Sequence, residues 1–369
     1  MVMININKKI NILDTTLRDG SYAINFSFSA SDTSIICSQL EDAGIEYIEI
    51  GHGVGLNASN VGYGEAAETD ETYMKAASQV LKKAKYGMFC IPGIAQLKDV
   101  DLAGEYQMDF IRIGTNVNQV EQGEKFIAKA KKYNMFVCAN FMKSYAMAPT
   151  DFATKVELAH QFGADMVYVV DSSGGMFSHA IRDYYHAIRD ISDIPLGFHG
   201  HNNLSFALSN SLEAIQVGYD FVDSSLQGLG RSSGNTSTEE LIAALLKLGY
   251  SVDIDFLKIL NIGFTYINPL ITSKGKHPLD IACGFADFHS SYMNIIHKYA
   301  SKYAVDPVLL IIESSKYDKT DVNEEMIDQF AKNAKKDQLL YIGKYHFNRY
   351  IGREQDETIR LSRKKNDAF

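Results

Sequence analysis

Residues 160–175 read His-Gln-Phe-Gly-Ala-Asp-Met-Val-Tyr-Val-Val-Asp-Ser-Ser-Gly-Gly and contain the unit that predicts the fold. A helical pattern ends at Gly163, and glycine readily adopts the left-handed conformation that commonly closes a helix. The apolar run 166–170 then predicts a strand. Asp171 and the small polar residues after it predict a loop at the carboxyl end of that strand. Helix, glycine, strand and polar loop together predict one unit of an alternating α/β protein.

The same unit recurs along the chain. Residues 41–46 and 215–220 also end a helical pattern at a glycine, with an acidic residue two positions later and then a strand. Eight strands are predicted, at 11–15, 47–50, 86–91, 110–113, 136–140, 166–170, 196–199 and 221–224. Their spacing leaves room for a loop and a returning helix after each strand. Eight such units predict an α/β fold of the TIM (β/α)8 barrel class, with a doubly wound open sheet as the alternative.

The pattern changes from residue 250 onward, where helices follow one another without intervening strands. Helices are predicted at 255–260, 288–303 and 323–336, and the charged end 353–369 is expected to be exposed. We therefore divide the chain into a catalytic TIM barrel, residues 1–249, and a helical C-terminal extension, residues 250–369, that packs on the barrel.

Composition narrows the class of partner. The net charge of −9 and the lack of a long basic run argue against nucleic acid and anionic membranes. Four scattered cysteines without a CxxC spacing predict buried free thiols and a reducing cytoplasm. The N-terminus lacks a signal-peptide pattern, and no apolar run reaches the roughly 18–20 residues of a membrane span. We expect a cytoplasmic protein that acts on small molecules.

Polar side chains at the strand ends predict a metal site. In TIM barrels the functional groups gather at the carboxyl ends of the strands. Asp19 follows the first strand, and His199 and His201 end the seventh, where alternate residues face the same side. One carboxylate and two imidazoles suit Mn²⁺, Mg²⁺, Fe²⁺, Co²⁺ or Zn²⁺, and such an ion would polarise a carbonyl and stabilise an enolate. For the His-x-His pair alone, ordinary hydrogen-bonded histidines are the alternative.

Anion-binding groups lie next to this predicted site. Arg18 is expected to hold a carboxylate or a developing enolate oxygen, with a salt bridge at the barrel rim as the alternative. Ser172 precedes glycines near a helix start, which is typical of an anion site. The loop 228–235 resembles a phosphate cradle, but it fits neither the P-loop nor the dinucleotide fingerprint. We interpret it as a substrate-covering loop with a structural Asn235.

These motifs resemble the metallo-lyase superfamily named for its Asp-Arg-Glu signature on a TIM barrel, which includes 3-hydroxy-3-methylglutaryl-CoA lyase and isopropylmalate synthase. Within it, 4-hydroxy-2-oxovalerate aldolase is the most similar, and Gly20 after Arg-Asp favours that branch over the lyases. The matching segments span the whole predicted barrel: 16–21 (Thr-Leu-Arg-Asp-Gly-Ser), 51–56 (Gly-His-Gly-Val-Gly-Leu), 171–175, 199–203 and 228–235.

The resemblance implies a reaction and a cofactor. Asp19, His199 and His201 would bind a divalent ion, most often Mn²⁺, with Mg²⁺ or Co²⁺ as alternatives. The reaction would be the reversible cleavage of a 4-hydroxy-2-oxo acid to pyruvate and an aldehyde through a metal-stabilised pyruvate enolate. Arg18 would stabilise that enolate.

The resemblance also suggests which groups bind the substrate. Ser172 would hold the carboxylate of the 2-oxo acid. Because the His52-Gly53 segment at the end of the second strand is typical of the aldolases, we also expect His52 to bind substrate.

Two positions depart from the aldolase pattern. The aldolases carry a histidine directly after Gly-Ser as the base on the 4-hydroxyl, whereas this chain has Tyr22. They carry a tyrosine before a C-terminal Ser-Ser, whereas this chain has His289. We predict that His289 reaches over the barrel mouth as the base, with Tyr22 orienting it or contacting substrate, because an unperturbed phenol is a poor base at pH 7. The alternative is that Tyr22 only shapes a changed pocket.

Other readings stay open at this point. A Claisen-type enzyme that joins an acyl-CoA to a 2-oxo acid would share the metal site and Arg18. A barrel that has lost catalysis and binds a metabolite or partner would explain Tyr22. Among partners, the helical tail makes a homodimer plausible, and the resemblance suggests an acylating aldehyde dehydrogenase.

Overall fold

The computed structural model describes residues 9–271 and 276–334, and its centre is a closed barrel of eight parallel strands in chain order. The strands are β1 (Asn11–Asp14), β2 (Tyr47–Ile50), β3 (Lys85–Cys90), β4 (Phe110–Asn116), β5 (Phe136–Met142), β6 (Met166–Asp171), β7 (Leu196–Gly200) and β8 (Phe221–Ser224). The pairing of β1 with β8, which sets Asn11 opposite Phe221, closes the barrel. The predicted TIM barrel is confirmed, and the open sheet is excluded.

One helix follows each strand and covers the outside of the barrel. These helices are α1 (Ala30–Asp42), α2 (Asp70–Val80), α3 (Leu97–Glu105), α4 (Glu124–Lys131), α5 (Pro149–Gln161), α6 (Ser178–Arg189), α7 (Ala207–Val217) and α8 (Thr238–Lys247). The glycines that end the helical patterns have positive φ angles, 97° at Gly44, 99° at Gly163 and 119° at Gly218. The predicted helix ends therefore lie where glycine's conformational freedom is required.

The eight predicted strands are all present, and two of them, β4 and β5, extend two or three residues beyond their predicted ends. Parallel pairing of β4 with β5 continues to Asn116 and Met142, beyond the predicted ends at 113 and 140. The extra residues are polar or lie next to polar residues, so hydrophobic pattern alone did not indicate them. The longer β5 places Lys143 directly at the barrel mouth.

After the barrel the described chain continues as helices that pack in two groups. α9 (Phe256–Ile262) and the π-helical turn Gly263–Ile267 contribute Ile259, Ile262 and Ile267 to the hydrophobic core of the barrel. The other helices form a separate core: α10 (Pro278–Ala286), α11 (Met293–Tyr303), α12 (Pro307–Ser315) and α13 (Glu324–Asn333). The predicted domain boundary between residues 249 and 250 stays a prediction. The packing of α9 places this helix with the barrel and not with the later helices.

The predicted C-terminal helices agree in part with this arrangement. The predictions at 255–260, 288–303 and 323–336 overlap α9, α11 and α13, with a 3-10 turn at Ser290–Tyr292 before α11. α10 and α12 were not predicted. Residues 335–336 and the charged end 353–369 lie outside the described residues. In the part of the chain that the structure describes, no helix has both the length and the apolar character that a membrane crossing needs.

The second helical group covers one side of the barrel mouth. Gly175, in the loop after β6, packs so closely on α10 that a Cβ there would lie 2.3 Å from the carbonyl oxygen of Gly284. Arg231 Nε donates to Ser290 Oγ across 2.8 Å. The extension therefore contributes directly to the walls of the mouth.

Candidate active site

The three predicted metal ligands meet at the barrel mouth. Asp19, His199 and His201 each offer one ligand atom, and these atoms lie within 4.8 Å of one another. Asp19 begins the 3-10 turn that follows β1, and His199 lies on β7. All three side chains are buried. They are the one such cluster of three or more acidic, histidine or cysteine side chains found in the described residues.

Neighbouring groups orient these side chains as metal ligands require. Asp223 Oδ2 lies 2.8 Å from His199 Nδ1, and the carbonyl oxygen of Gly234 lies 3.3 Å from His201 Nδ1. With Nδ1 held in each ring, Nε2 remains to face an ion. Asp19 Oδ2 accepts from the side chain of Asn235 across 2.8 Å, which gives the predicted structural asparagine a contact with the ligand carboxylate. The donor set therefore fits a divalent cation.

The protonation states also fit a cation. Burial lowers the pKa of His201 to about 3, so its imidazole is neutral at pH 7. Burial alone would raise the pKa of Asp19, but the adjacent Arg18 guanidinium and the two histidines hold it well below its usual range. A neutral imidazole and an ionised carboxylate are the forms that bind metals.

A buried chain of charged groups lies beneath the site. Arg18 Nε donates to Glu49 Oε2 at 2.7 Å, and Arg112 Nη1 donates to the same oxygen at 2.9 Å. Arg112 Nη2 then donates to Asp223 Oδ2 at 2.6 Å, and Asp223 contacts the ligand His199. A continuous series of charged hydrogen bonds thus connects Arg18 with a metal ligand.

The formal charges of this series of buried side chains sum to a net negative charge. Two guanidinium groups face three carboxylates, those of Asp19, Glu49 and Asp223, and every one of these side chains is at least 94% buried. Burying an uncompensated charge is costly, so the excess favours a cation at the adjacent ligand cluster. This is an independent reason to expect a metal ion there.

A cavity of about 280 Å³ opens above the ligands, close to the lower end of the roughly 300–1,000 Å³ typical of small-molecule sites. It is lined by Arg18, Asp19, Tyr22, Gly53, Val54, Tyr63, Phe89, Ile91, Ile94, Asn116, Asn140, Met142, Lys143, Val170, Ser172, His199, His201, Arg231, His289 and Ser291. Of the predicted site residues the structure thus brings Arg18, Asp19, Tyr22, Ser172, His199, His201 and His289 to one cavity. His52 is the exception.

His52 lies behind the cavity wall. Its Nδ1 accepts from the backbone N–H of Val54 at 3.0 Å, its Nε2 lies 3.1 Å from the carbonyl oxygen of Gly64, and its ring stacks on Phe26. Burial lowers the pKa of His52 to about 4, so the ring is neutral. Both nitrogens have protein partners, so the structure does not bring His52 to the place where its predicted substrate-binding role would need it.

Tyr22 and His289 both lie next to Arg231. The Arg231 guanidinium carbon lies 5.2 Å from the centre of the Tyr22 ring, and Arg231 Nη2 lies 3.4 Å from His289 Nδ1. Tyr22 packs against Gly53, where a Cβ would come within 2.7 Å of the tyrosine ring. The two positions that depart from the aldolase pattern are therefore both neighbours of one arginine.

The hydrogen bonds of His289 restrict its tautomer. Nδ1 accepts from the backbone N–H of Ser291 at 3.3 Å and faces the Arg231 donor, which favours a ring proton on Nε2. Ser291 Oγ, 2.8 Å from Nδ1, is the one neighbour that could accept a proton from Nδ1 instead. Burial and then the charges of Arg231 and Lys143 lower the pKa of His289 well below its usual value, so the ring is neutral near pH 7.

Several residues of the site were not predicted. Glu49, Arg112 and Asp223 lie inside predicted apolar strands, and a lone charged residue in such a run is a sign that could have indicated them. Lys143 lies in a loop without a recognisable motif, so its position at the site depends on the fold. Arg231 lies in the loop 228–235, which we interpret as substrate-covering, but Arg231 itself was not predicted as a site residue.

Comparisons with known proteins identify the family of this chain. The sequence matches the HMGL-like family over residues 9–265. A 4-hydroxy-2-oxovalerate aldolase of Carboxydothermus hydrogenoformans is 35% identical over 334 residues, which cover 89% of this chain and 98% of that relative. An oxaloacetate decarboxylase of Mycobacterium tuberculosis is 37% identical over 317 residues, which cover 86% of this chain and 94% of that relative.

Solved structures share the fold. The carboxyl transferase domain of Rhizobium etli pyruvate carboxylase matches with a TM-score of 0.72 at 15% identity, over 88% of this chain and 60% of that one. The HMG-CoA lyase of Brucella melitensis matches with a TM-score of 0.60 at 17% identity, over 70% of this chain and 97% of that one. The sequence match and the relatives decide the family. This chain belongs to the HMGL-like family, in the branch of the 4-hydroxy-2-oxovalerate aldolases.

Proposed function

We propose that the protein is a divalent-metal-dependent aldolase that cleaves or forms a 4-hydroxy-2-oxo acid from pyruvate and an aldehyde. The observation that carries this proposal is the meeting of Asp19, His199 and His201 at a cavity that Arg18 also lines. Three ligands leave coordination positions open for a substrate. The curated relatives named 4-hydroxy-2-oxovalerate aldolase support the same carbon–carbon lyase reaction.

Different residues of the site would bind different groups of a 2-oxo acid. Asp19, His199 and His201 would hold the ion, which we propose to be Mn²⁺ with Mg²⁺ or Co²⁺ as alternatives, and which when bound supplies Lewis-acid polarisation of the 2-oxo group. Arg18 donates Nε to Glu49 and Nη1 to Asp19, so its remaining N–H groups are available to a developing enolate oxygen. Ser172 Oγ accepts from the Lys143 backbone N–H, which leaves its own O–H to donate to the substrate carboxylate.

The bond changes in the cleavage direction are those of a retro-aldol reaction. The 4-hydroxyl loses its proton and becomes the carbonyl of the aldehyde as the bond between C3 and C4 breaks. The electron pair of that bond passes to C3 and is delocalised onto the 2-oxo oxygen as an enolate, which Arg18 stabilises. C3 then takes a proton to give pyruvate. Condensation follows the same steps in reverse.

We propose that His289 takes the proton of the 4-hydroxyl. Its lowered pKa keeps the ring neutral, which a base requires, and it lines the cavity. Action through Nε2 requires the tautomer protonated on Nδ1, with Ser291 Oγ as the acceptor of that proton. Tyr22, also next to Arg231, would orient the substrate or the arginine. The alternative role of Tyr22, which is only to shape the pocket, uses the same contacts.

Decarboxylation of oxaloacetate is a second candidate function. It leaves the same pyruvate enolate, with carbon dioxide in place of an aldehyde as the departing group. The observation that favours it is the 37% identity to an oxaloacetate decarboxylase. A Claisen-type condensation would use the same metal site and Arg18, but the curated relatives reported above are named for other activities.

A pyruvate-release screen tests the proposed function. The protein with added Mn²⁺ is incubated with 4-hydroxy-2-oxo acids of graded size and, separately, with oxaloacetate. We expect pyruvate to be released from at least one hydroxy acid. With pyruvate in deuterated water, we expect the protein to exchange the methyl hydrogens for deuterium faster than the uncatalysed reaction. Arg18→Gln should slow that exchange about 100-fold or more, whereas Arg182→Gln, on the α6 surface, should leave it unchanged. Pyruvate from oxaloacetate alone would select the decarboxylase, and failure with all substrates would contradict both functions.

Location and partners remain proposals. The four cysteines are all free and buried, which supports a reducing, cytoplasmic location. The homodimer and the acylating aldehyde dehydrogenase partner rest on the sequence pattern and on the resemblance.

A further inference from the structure

The cavity has two chemically different walls beyond the metal ligands. One wall belongs to an apolar cluster in which Tyr22 and Val54 pack with Tyr63, Ile91 and Ile94. The other wall is basic and contains Lys143, Arg231 and the neutral His289. The apolar wall suits a short carbon chain. The basic wall is unexpected for a substrate whose aldehyde portion is a simple hydrocarbon.

Lys143 is a buried amine with unused donor capacity. Its side chain is almost entirely buried, its Nζ donates to the Tyr292 hydroxyl at 3.0 Å and to the carbonyl oxygen of Thr320, and an ammonium has three N–H donors. Within residues 9–271 and 276–334, no carboxylate lies within 4 Å of this nitrogen. A buried ammonium without an ionic partner costs free energy, so binding of an anion next to the Lys143 amine would be favourable.

Arg231 adds a second positive charge near Lys143. The charge of Arg231 acts on Lys143 strongly enough to help lower its pKa, after the larger effect of burial. Among the described residues that line the cavity, Asp19 is the one carboxylate, and the ion would occupy it. Lys143 and Arg231 therefore give this wall two basic side chains.

We propose that the aldehyde portion of the substrate carries an anionic group, a carboxylate or a phosphate, and that Lys143 and Arg231 bind it. This inference rests on the proposed aldolase function. We assign the carboxylate of the pyruvate portion to Ser172 at the strand end, whereas the Lys143 amine extends toward Tyr292 and Thr320 of the extension. The preferred substrates are thus 4-hydroxy-2-oxo acids with a second acidic group.

Paired aldehydes of equal length test this inference. With pyruvate and Mn²⁺, the kcat/KM for succinic semialdehyde should exceed that for butanal about 10- to 100-fold, the range of a hydrogen-bonded charge pair. Glyceraldehyde 3-phosphate is compared with glyceraldehyde in the same way. The pair that shows the larger preference identifies the anion as a carboxylate or a phosphate.

Variants of Lys143 assign the preference to this side chain. Lys143→Gln should reduce the preference at least tenfold, and Lys143→Arg should retain most of it. Lys155→Gln, which removes an amine paired with Glu121 on the outer surface, is the matched control and should keep the full preference. Thermal unfolding of each variant checks the fold, and the charge-retaining arginine variant keeps the test valid if the glutamine variant is unstable.

Two results would overturn the inference while leaving the aldolase function intact. One is equal kcat/KM within both pairs, that is, for succinic semialdehyde and butanal and for glyceraldehyde 3-phosphate and glyceraldehyde. The other is a Lys143→Gln variant in which the KM for pyruvate rises equally with every aldehyde, because that would place Lys143 on the pyruvate carboxylate. Absence of both aldol turnover and deuterium exchange would overturn the proposed function itself, and this inference with it.

Discussion

The carboxylate of Asp223 lies 2.8 Å from Nδ1 of His199, at the carboxyl ends of β8 and β7. The same oxygen accepts from Arg112 across 2.6 Å, so Asp223 joins the buried charge chain to a metal ligand. A carboxylate in this position fixes the ring and raises the basicity of the ligand nitrogen. The metal affinity of the site should therefore depend on a residue that does not touch the ion.

Asp223→Asn tests this dependence directly. The variant removes the negative charge with little change in volume, and we expect Mn²⁺ to bind about 10- to 100-fold more weakly. Titration calorimetry on the metal-free protein measures the affinity. Asp220→Asn, at the opposite end of β8, is the matched control and should bind Mn²⁺ like the unmodified protein. Equal affinities of the two variants would exclude an orienting role for Asp223.

Arg112 should be important for stability as well as for the site. It is fully buried and donates to Glu49, Asp223 and Asn140, so Arg112→Met leaves two carboxylates without a shared partner. Removal of one member of a buried ion pair typically costs about 3–5 kcal/mol of unfolding free energy. Urea unfolding measures the loss.

A surface pair supplies the comparison for Arg112. Lys155→Met breaks the partly exposed pair with Glu121 and should cost less than about 1 kcal/mol. A loss of the same size in both variants would mean that the buried network contributes no special stability.

His289→Ala should lower kcat about 100- to 10,000-fold, the range of a lost acid–base group, while the Mn²⁺ content stays the same. The imidazole lines the cavity but does not belong to the ligand cluster. Steady-state rates and metal analysis of the same preparation provide the two readouts, and His186→Ala on the exposed face of α6 is the control. Unchanged turnover would remove His289 from the mechanism.

Ser291→Ala addresses the tautomer of His289. The variant removes the hydroxyl that can accept a proton from Nδ1 but keeps the backbone N–H that donates to it. The tautomer with a bare Nε2 becomes less favourable, so kcat should fall while the KM for pyruvate changes little. A KM effect without a kcat effect would indicate that Ser291 contacts substrate instead.

The preference for an anionic aldehyde should depend on pH. Burial and then Arg231 lower the pKa of Lys143 to about 8, while Asp318 and Asp321 oppose that shift and Tyr292 contacts the amine. The ammonium is present below this pKa and is lost above it. The preference should therefore be full at pH 6.5–7 and decline as the pH rises through about 8.

The ratio of kcat/KM for succinic semialdehyde and butanal, measured from pH 6.5 to 9.5, checks this expectation. Effects of pH on the steps common to both aldehydes cancel in the ratio. Lys143→Arg should flatten the decline, because a guanidinium stays charged across this range. A ratio that is independent of pH in the unmodified protein would contradict the assignment to Lys143.

The barrel and the cluster of Asp19, His199 and His201 could be predicted because both depend on local order in the chain. Glycines such as Gly163 end helices where the backbone needs a positive φ, and apolar runs of strand length follow them. In a parallel barrel all carboxyl ends of the strands lie on one face, so Asp19 and His199 were expected at the same mouth once the strands were assigned. No knowledge of side-chain packing was needed for either result.

The charge chain and the basic wall required the tertiary structure. Arg112 and Glu49 are 63 positions apart and lie on different strands, and only barrel closure brings Asp223 to Arg112. Lys143 acquires its partners from an extension about 150 residues further along the chain. Such contacts arise from packing between elements, which periodicity does not encode.

The sequence by itself determined the (β/α)8 barrel and the carboxylate and imidazoles at its mouth. The tertiary structure decided that His52 lies behind the wall, that Arg231 lies next to both Tyr22 and His289, and that a buried amine faces the cavity. The physical reason is that the parallel order of the strands fixes which strand end lies at the mouth, and the alternation of side chains along a strand fixes which side each residue faces. Desolvation and the packing of the extension decide which of those side chains remain available to a substrate.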